Sequence, residues 1–122
     1  MIRVIHEERL RRIMRKTFAT ELLNHARKDK RVYLLVCDLG WGMWDQFKKE
    51  LPNQYANCGA AETAMMNIAC GLAIEGKIPF VYSITTFLIY RPFEVLRTYI
   101  EHENINVKLI GSGRDKDYGE DG

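Results

Sequence analysis

Two apolar runs in this chain show no polar alternation, RVYLLVCD (Arg31 to Asp38) and IPFVYSI (Ile78 to Ile84), and NVKLIG (Asn106 to Gly111) reads as a third strand. A strand with one wet face alternates, whereas a strand covered on both faces does not, so RVYLLVCD and IPFVYSI read as buried strands of a parallel sheet. Parallel neighbours need a crossover connection, and the segments between the runs are long enough to supply helices. From Glu8 to about Lys28, Leu10, Ile13, Met14, Phe18, Leu22 and Ala26 recur at three and four, the stripe of an amphipathic helix. Asp38-Leu39-Gly40 turns the chain, Trp41 to Leu51 reads as a short helix ended by Pro52-Asn53, and Ala56 to Cys58 as a short strand. Gly59 to Glu75 reads as a helix stopped by Gly76, and Phe87 to about Glu103 as another. The predicted class is α/β, a parallel sheet with helices on both faces.

A chain of 122 residues buries a single core, so residues 1–122 are expected to form one domain or part of one. The closing SGRDKDYGEDG is glycine-rich and charged, hence a loop, and it stops where a further helix or strand is due. The module is therefore expected to be incomplete at its C-terminus, or to finish its fold against a partner, because a doubly wound sheet left open exposes an edge.

Several function classes fit poorly. The net charge is +2, and the basic cluster Arg3, Arg9, Arg11, Arg12, Arg15, Lys16 is interrupted by Glu7 and Glu8 without an aromatic platform, so no nucleic-acid partner is expected. No apolar run is long enough to span a bilayer and no signal-peptide pattern opens the chain, which makes a cytoplasmic location the expectation and a membrane partner not one. Cys37, Cys58 and Cys70 are odd in number and have no C-x-x-C or Cys/His spacing, so they read as reduced packing residues rather than a zinc site. His6, His25 and His102 stand alone on polar stretches and read as surface residues.

Ligands of an open parallel sheet collect beyond the carboxyl ends of its strands. Three signals fall there: Asp38, then Glu62 in NCGAAETAMMNIACGLA, then Phe87, Tyr90 and Phe93 in TTFLIYRPF. Each also has a structural explanation. Asp38 suits a turn, Glu62 suits the positive end of a helix, and three aromatics spaced by three suit a core stripe.

Taken in order, DLG, NCGAAETAMMNIACGLA, GKIPFVYSITTFLIYRPFE, VKLIG and a loop ending GEDG resemble the pyrimidine-binding domain of transketolase and its relatives, the thiamine diphosphate enzymes that include the deoxyxylulose-phosphate synthases. The resemblance runs from about Arg15 to Gly122. It implies that Glu62 is the catalytic carboxylate, hydrogen-bonding the ring nitrogen N1′ of the cofactor's aminopyrimidine and favouring the imino tautomer that deprotonates the thiazolium. For that role the carboxyl is expected to be protonated or to share a proton, with burial raising its pKa against the pull of the helix N-terminus. The resemblance further implies that Phe87 stacks on the aminopyrimidine, with Tyr90 and Phe93 either stacking beside it or belonging to the core. Asp38 would lie near the thiazolium, and Asp121 would reach the substrate's hydroxyl groups. Arg15 would bind sugar phosphate, unless it is a solvated arginine of a basic helix.

The chain departs from the family pattern at two places. Gly42 stands where transketolases place a phosphate-binding serine, and Gly113-Arg114 where they place a substrate-binding histidine. A standard ketose phosphate is therefore not implied. The family's G-D-G and asparagine motif for Mg2+ and the diphosphate is absent, which leaves half of a composite site. The implied protein is a subunit or fragment that transfers a two-carbon ketol unit with thiamine diphosphate once a complementary diphosphate-binding chain supplies the metal. A homo- or hetero-oligomer, such as a dimer, follows from that. The competing reading is a non-catalytic module that keeps the fold and pairs with a partner subunit.

Overall fold

The computed structural model describes residues 2–113. In chain order they form α1 (Ile2–Lys28), β1 (Val32–Val36), α2 (Asp45–Glu50), a 3-10 turn (Pro52–Gln54), β2 (Tyr55–Asn57), α3 (Glu62–Ile74), β3 (Ile78–Ile84), α4 (Thr85–Tyr90), α5 (Phe93–Val95) running into a π-helical turn (Leu96–His102), and β4 (Lys108–Ser112). The four strands pair in parallel in the order β2-β1-β3-β4. All three runs are strands, and β3 carries the predicted bounds.

Successive strand residues face opposite sides of a sheet, and the two cores follow that rule. Leu34, Val36 and Tyr82 pack with Ala19, Leu22, Leu23 and Ala26 of α1, Trp44 and Phe47. Leu35 and Val81 pack on the other face with Met65, Met66, Ala69 and Cys70 of α3, Leu88 of α4 and Val95 of α5. Helices thus cover both faces, as the unalternating strands predicted. Among the described residues, no helix is long and apolar enough to cross a membrane.

α2 and α3 start later than their sequence reading, at Asp45 and Glu62 rather than Trp41 and Gly59, and two other helices differ more. In α1 the stripe is used only towards the C-terminus: Leu22 and Ala26 are buried, whereas Leu10, Ile13 and Met14 are 47%, 51% and 70% exposed. The sheet ends under the later turns, so the earlier apolar residues extend past it. The single helix expected from Phe87 to about Glu103 is broken at Arg91-Pro92. Pro92 has no N–H to continue α4, and its side chain is fully buried. Phe93 therefore starts a new helix and does not continue the face that carries Phe87.

The turn after β1 depends on Gly40. Its φ is +85°, a left-handed value that glycine adopts without steric cost. A Cβ there would also collide with the indole of Trp44, which is 2% exposed and sits edge-on to Phe18 and Tyr82. Gly40→Ala is expected to destabilise the fold by about 2 kcal/mol, the scale of overpacking at a fixed site. Urea unfolding followed by tryptophan fluorescence measures it, and Gly42→Ala is the control, since its φ is also left-handed but its surroundings are open.

Candidate functional site

The site forms where α3 begins against the carboxyl end of β3. Glu62 opens α3, behind Ala61, which offers no side-chain cap. Its carboxylate is 2% exposed. The Ser83 hydroxyl donates to Glu62 Oε1 at 2.8 Å, and Arg91 Nη1 donates to Oε2 at 2.7 Å. Ser83 is placed by strand parity: its neighbour Tyr82 faces α1, so Ser83 faces α3. Arg91 caps α4 with a helical φ/ψ of −64°/−49° and its N–H on the Phe87 carbonyl at 3.3 Å, so its guanidinium lies 3.7 Å over the centroid of the Phe87 ring one turn earlier. Thr63 Oγ1 donates to the Arg91 carbonyl at 3.2 Å, tying the same turn to the residue after Glu62.

This geometry corrects the expected protonation of Glu62. Burial pushes its carboxyl up, as anticipated, but the hydrogen bonds from Arg91 and Ser83 outweigh burial and hold it below the ordinary carboxylate value. Glu62 is an ionised, paired carboxylate in this chain. The neighbouring thiols remain protonated: burial pushes Cys37 up to about 11 and also raises Cys58 and Cys70, so none is poised as a nucleophile. All three cysteines are free.

The other predicted residues are dispersed. Phe87 is half-buried beside Glu62, with one ring face covered by Arg91. Tyr90 and Phe93 are 75% and 58% exposed, so neither is a core residue, and they lie on different helices. Asp38 is exposed with a left-handed φ of 51° just past β1. Its N–H donates to Asn57 Oδ1 at 3.0 Å and its Oδ1 accepts from Asn57 Nδ2 at 3.2 Å, so Asn57 splints the ends of β1 and β2. Arg15 lines a separate cleft of about 680 Å³ with Arg12, Lys16, Trp41 and Gly42. That cleft is on the α1 face of the sheet, opposite α3. Asp121 lies outside the described residues.

Ser83, Thr63, Asn57 and Arg91 carry no role in the sequence reading. Of these, only Arg91 had a usable signal, as the one cation in TTFLIYRPF.

A buried carboxylate beside an aromatic ring, at the carboxyl end of a parallel sheet, suits a planar heteroaromatic ligand with a protonatable nitrogen. Residues 12–122 match the family model described as "Transketolase, pyrimidine binding domain". This chain belongs to the transketolase family, in its pyrimidine-binding domain. It is 35% identical over 100 residues to the 6-deoxy-6-sulfo-D-fructose transketolase subunit SqwH of Clostridium sp. (strain MSTE9), covering 81% of this chain and 31% of that protein. To an apulose-4-phosphate transketolase subunit of Phocaeicola vulgatus it is 36% identical over 106 residues, covering 86% of this chain and 34% of the relative. A solved structure titled "Split gene transketolase, inactive beta4 tetramer" superposes with a TM-score of 0.72 at 31% identity, over 80% of this chain and 33% of that one. The transketolase-domain chain thus spans about a third of the length of these relatives.

The Glu62 pairing gives stability a sign with pH. A carboxyl held below its unfolded value contributes stability above the unfolded value, and that contribution is lost as pH falls through the folded one. The parent should therefore lose more stability on acidification below the ordinary carboxylate range than Glu62→Gln does. Urea midpoints measured for both proteins between neutral and acidic pH give the comparison, and parallel pH curves would exclude a folded-state role for the charge.

Proposed function

We propose that this chain is the ring-binding half of a transketolase-like thiamine diphosphate enzyme that transfers a two-carbon ketol unit. The observation that supports it is the buried Glu62 carboxylate beside Phe87 in a chain whose family model is the pyrimidine-binding domain. When bound, thiamine diphosphate supplies the nucleophilic thiazolium carbon that carries the two-carbon unit. Glu62 holds a proton at ring nitrogen N1′ by accepting a hydrogen bond from it, a role suited to the ionised form that the Arg91 and Ser83 hydrogen bonds favour. Phe87 packs against the ring and keeps water from it, while Asp38 sits near the thiazolium.

In this reading Asp121 and Arg15 meet the substrate, and Tyr90 and Phe93 reach the site only from their exposed positions. The described residues around Glu62 suit the aminopyrimidine rather than the diphosphate, since the Arg91 guanidinium beside the ring site is already engaged by Glu62. Mg2+ and the diphosphate belong to a complementary subunit or domain, in a cytoplasmic hetero-oligomer or a dimer that brings the two halves together. The structural neighbour's title names an inactive beta4 tetramer of a split-gene transketolase, which supports a module inactive without its partner.

Three outcomes are expected. Calorimetric titration of the lone chain with thiamine diphosphate and Mg2+ should give no appreciable binding, whereas tight binding would rule out a composite site. With the diphosphate-binding subunit supplied, Glu62→Gln should leave cofactor affinity nearly unchanged and slow hydrogen/deuterium exchange at the cofactor's C2 by about 10²-fold, the loss expected for a positioned acid–base group. Phe87→Ala should chiefly weaken binding. Exchange in the Gln variant as fast as in the parent would reduce Glu62 to a structural carboxylate.

A further inference from the structure

We infer that Arg91 is a positioning residue: stacked on Phe87 and anchored through its own carbonyl, it fixes Glu62 as an oriented carboxylate at the ring site. This rests on the reading of Glu62 as the ring-facing carboxylate.

An ionised carboxylate that is 2% exposed is costly unless it is paired and hydrogen-bonded. The two oxygens of Glu62 are engaged from different elements, Oε1 by Ser83 of β3 and Oε2 by Arg91 of the α4–α5 turn. Two directional contacts on separate oxygens fix the rotation of the carboxylate plane as well as its location. Each oxygen keeps a further lone pair for a ligand donor.

Arg91 is itself held at three points. Its guanidinium lies on Phe87 at 3.7 Å, its carbonyl accepts from Thr63, and the next residue, Pro92, is buried. Glu62 and Thr63 are consecutive residues in the first turn of α3, so that turn grips both the head and the backbone of Arg91. A lysine would keep the charge but not the planar fork or the stack.

Among the described residues, three groups face Glu62 from the packed elements: Arg91 from the α4–α5 turn, Cys37 from the end of β1, and the uncharged Ser83 from β3. Cys37 is a neutral thiol. Arg91 is therefore the charge that decides the ionisation of Glu62. It also gives Phe87 a first function that precedes any ligand, as the platform for the guanidinium.

The test is a carbon-13 NMR titration of the Glu62 side-chain carboxyl in the full chain, for the parent, Arg91→Lys and Arg91→Met. The Met variant should raise the Glu62 midpoint by at least about one pH unit, tenfold in proton affinity, with the Lys variant between it and the parent. A folded Met variant whose midpoint stays within about a third of a unit of the parent overturns the inference. If the Met variant does not fold, the Lys variant decides: an unchanged Glu62 midpoint together with unchanged Phe87 ring shifts overturns it.

A second arm adds the diphosphate-binding subunit and follows the pH profile of C2 exchange. The profile should move to higher pH with the Glu62 midpoint in each Arg91 variant. A shifted Glu62 midpoint with an unmoved exchange profile leaves Arg91 in place and rejects Glu62 as the ring-facing group, so the two readings fail separately. Cofactor binding tightened tenfold or more in the Met variant would show that the guanidinium occupies the ring's place as a planar stand-in, and would overturn the positioning role.

Discussion

A carboxylate removed from water has to find a cation or lose its charge, and much of the arrangement at the carboxyl end of this sheet follows from how Glu62 meets that requirement. Its cation comes from the end of a short helix. Arg91 keeps a helical φ/ψ of −64°/−49° and its N–H reaches the Phe87 carbonyl at 3.3 Å, so α4 carries it one turn beyond Phe87 to the start of α3. Pro92 stops the helix just after Arg91, and Phe87 one helical turn earlier supplies a surface for the guanidinium. The positive end of α3 and the Ser83 hydroxyl add to the same effect. Burial alone pushes the carboxyl towards its neutral form. Burial with these partners produces an oriented anion.

The parallel sheet makes the encounter possible. Parallel strands deliver their following segments to one end of the sheet, so the loop after β2 that leads into α3 across β1 meets the helix after β3 there, although Glu62 and Arg91 are 29 positions apart in sequence. The pleat then sorts residues between faces. Tyr82 goes to the α1 core and Ser83 to Glu62, and a one-residue change of register would exchange them. The same sorting separates Arg15 from Glu62. The basic cleft on the α1 face and the carboxylate on the α3 face are two features at one end of one sheet, with β1 and β3 between them.

The strands were legible because doubly buried strands leave a strong apolar signature, and Ile78 to Ile84 was readable to the residue. Helix ends were less so. Gly59 to Ala61 looks helical by composition, but Gly59 has a left-handed φ of 67° and Asn57 caps the turn through the Gly59 N–H, which delays α3 to Glu62. The α4 break was visible in principle as Arg-Pro, yet the aromatic spacing across it invited a continuous face. Glu62 and Phe87 were identified from motif order. Their link through Arg91 was not, because a salt bridge between residues so far apart in sequence leaves no periodic trace. The protonation state was misjudged for the same reason: burial can be inferred from surrounding alanines and methionines, whereas the partner that outweighs it can be seen only once the chain is folded.

Part of the apolar surface left uncovered adjoins the site. α1 extends beyond the sheet with Leu10, Ile13 and Met14 outward, Trp41 is 99% exposed at the mouth of the cleft, and Ile68, Ile74, Tyr90 and Phe93 are exposed on the α3 side. These residues are not failures of the core, since both faces of the sheet are already packed by α1, α2, α3 and α4. Leu10, Ile13 and Met14 lie on the part of α1 that overruns the strands, Trp41 in the loop after β1, Ile68 and Ile74 in α3, and Tyr90 and Phe93 on either side of Pro92. Arg91 reaches Glu62 from the last turn of α4 and Phe93 stands exposed at the start of α5, so the charge of the site and the apolar character of its rim meet at the junction that Pro92 makes.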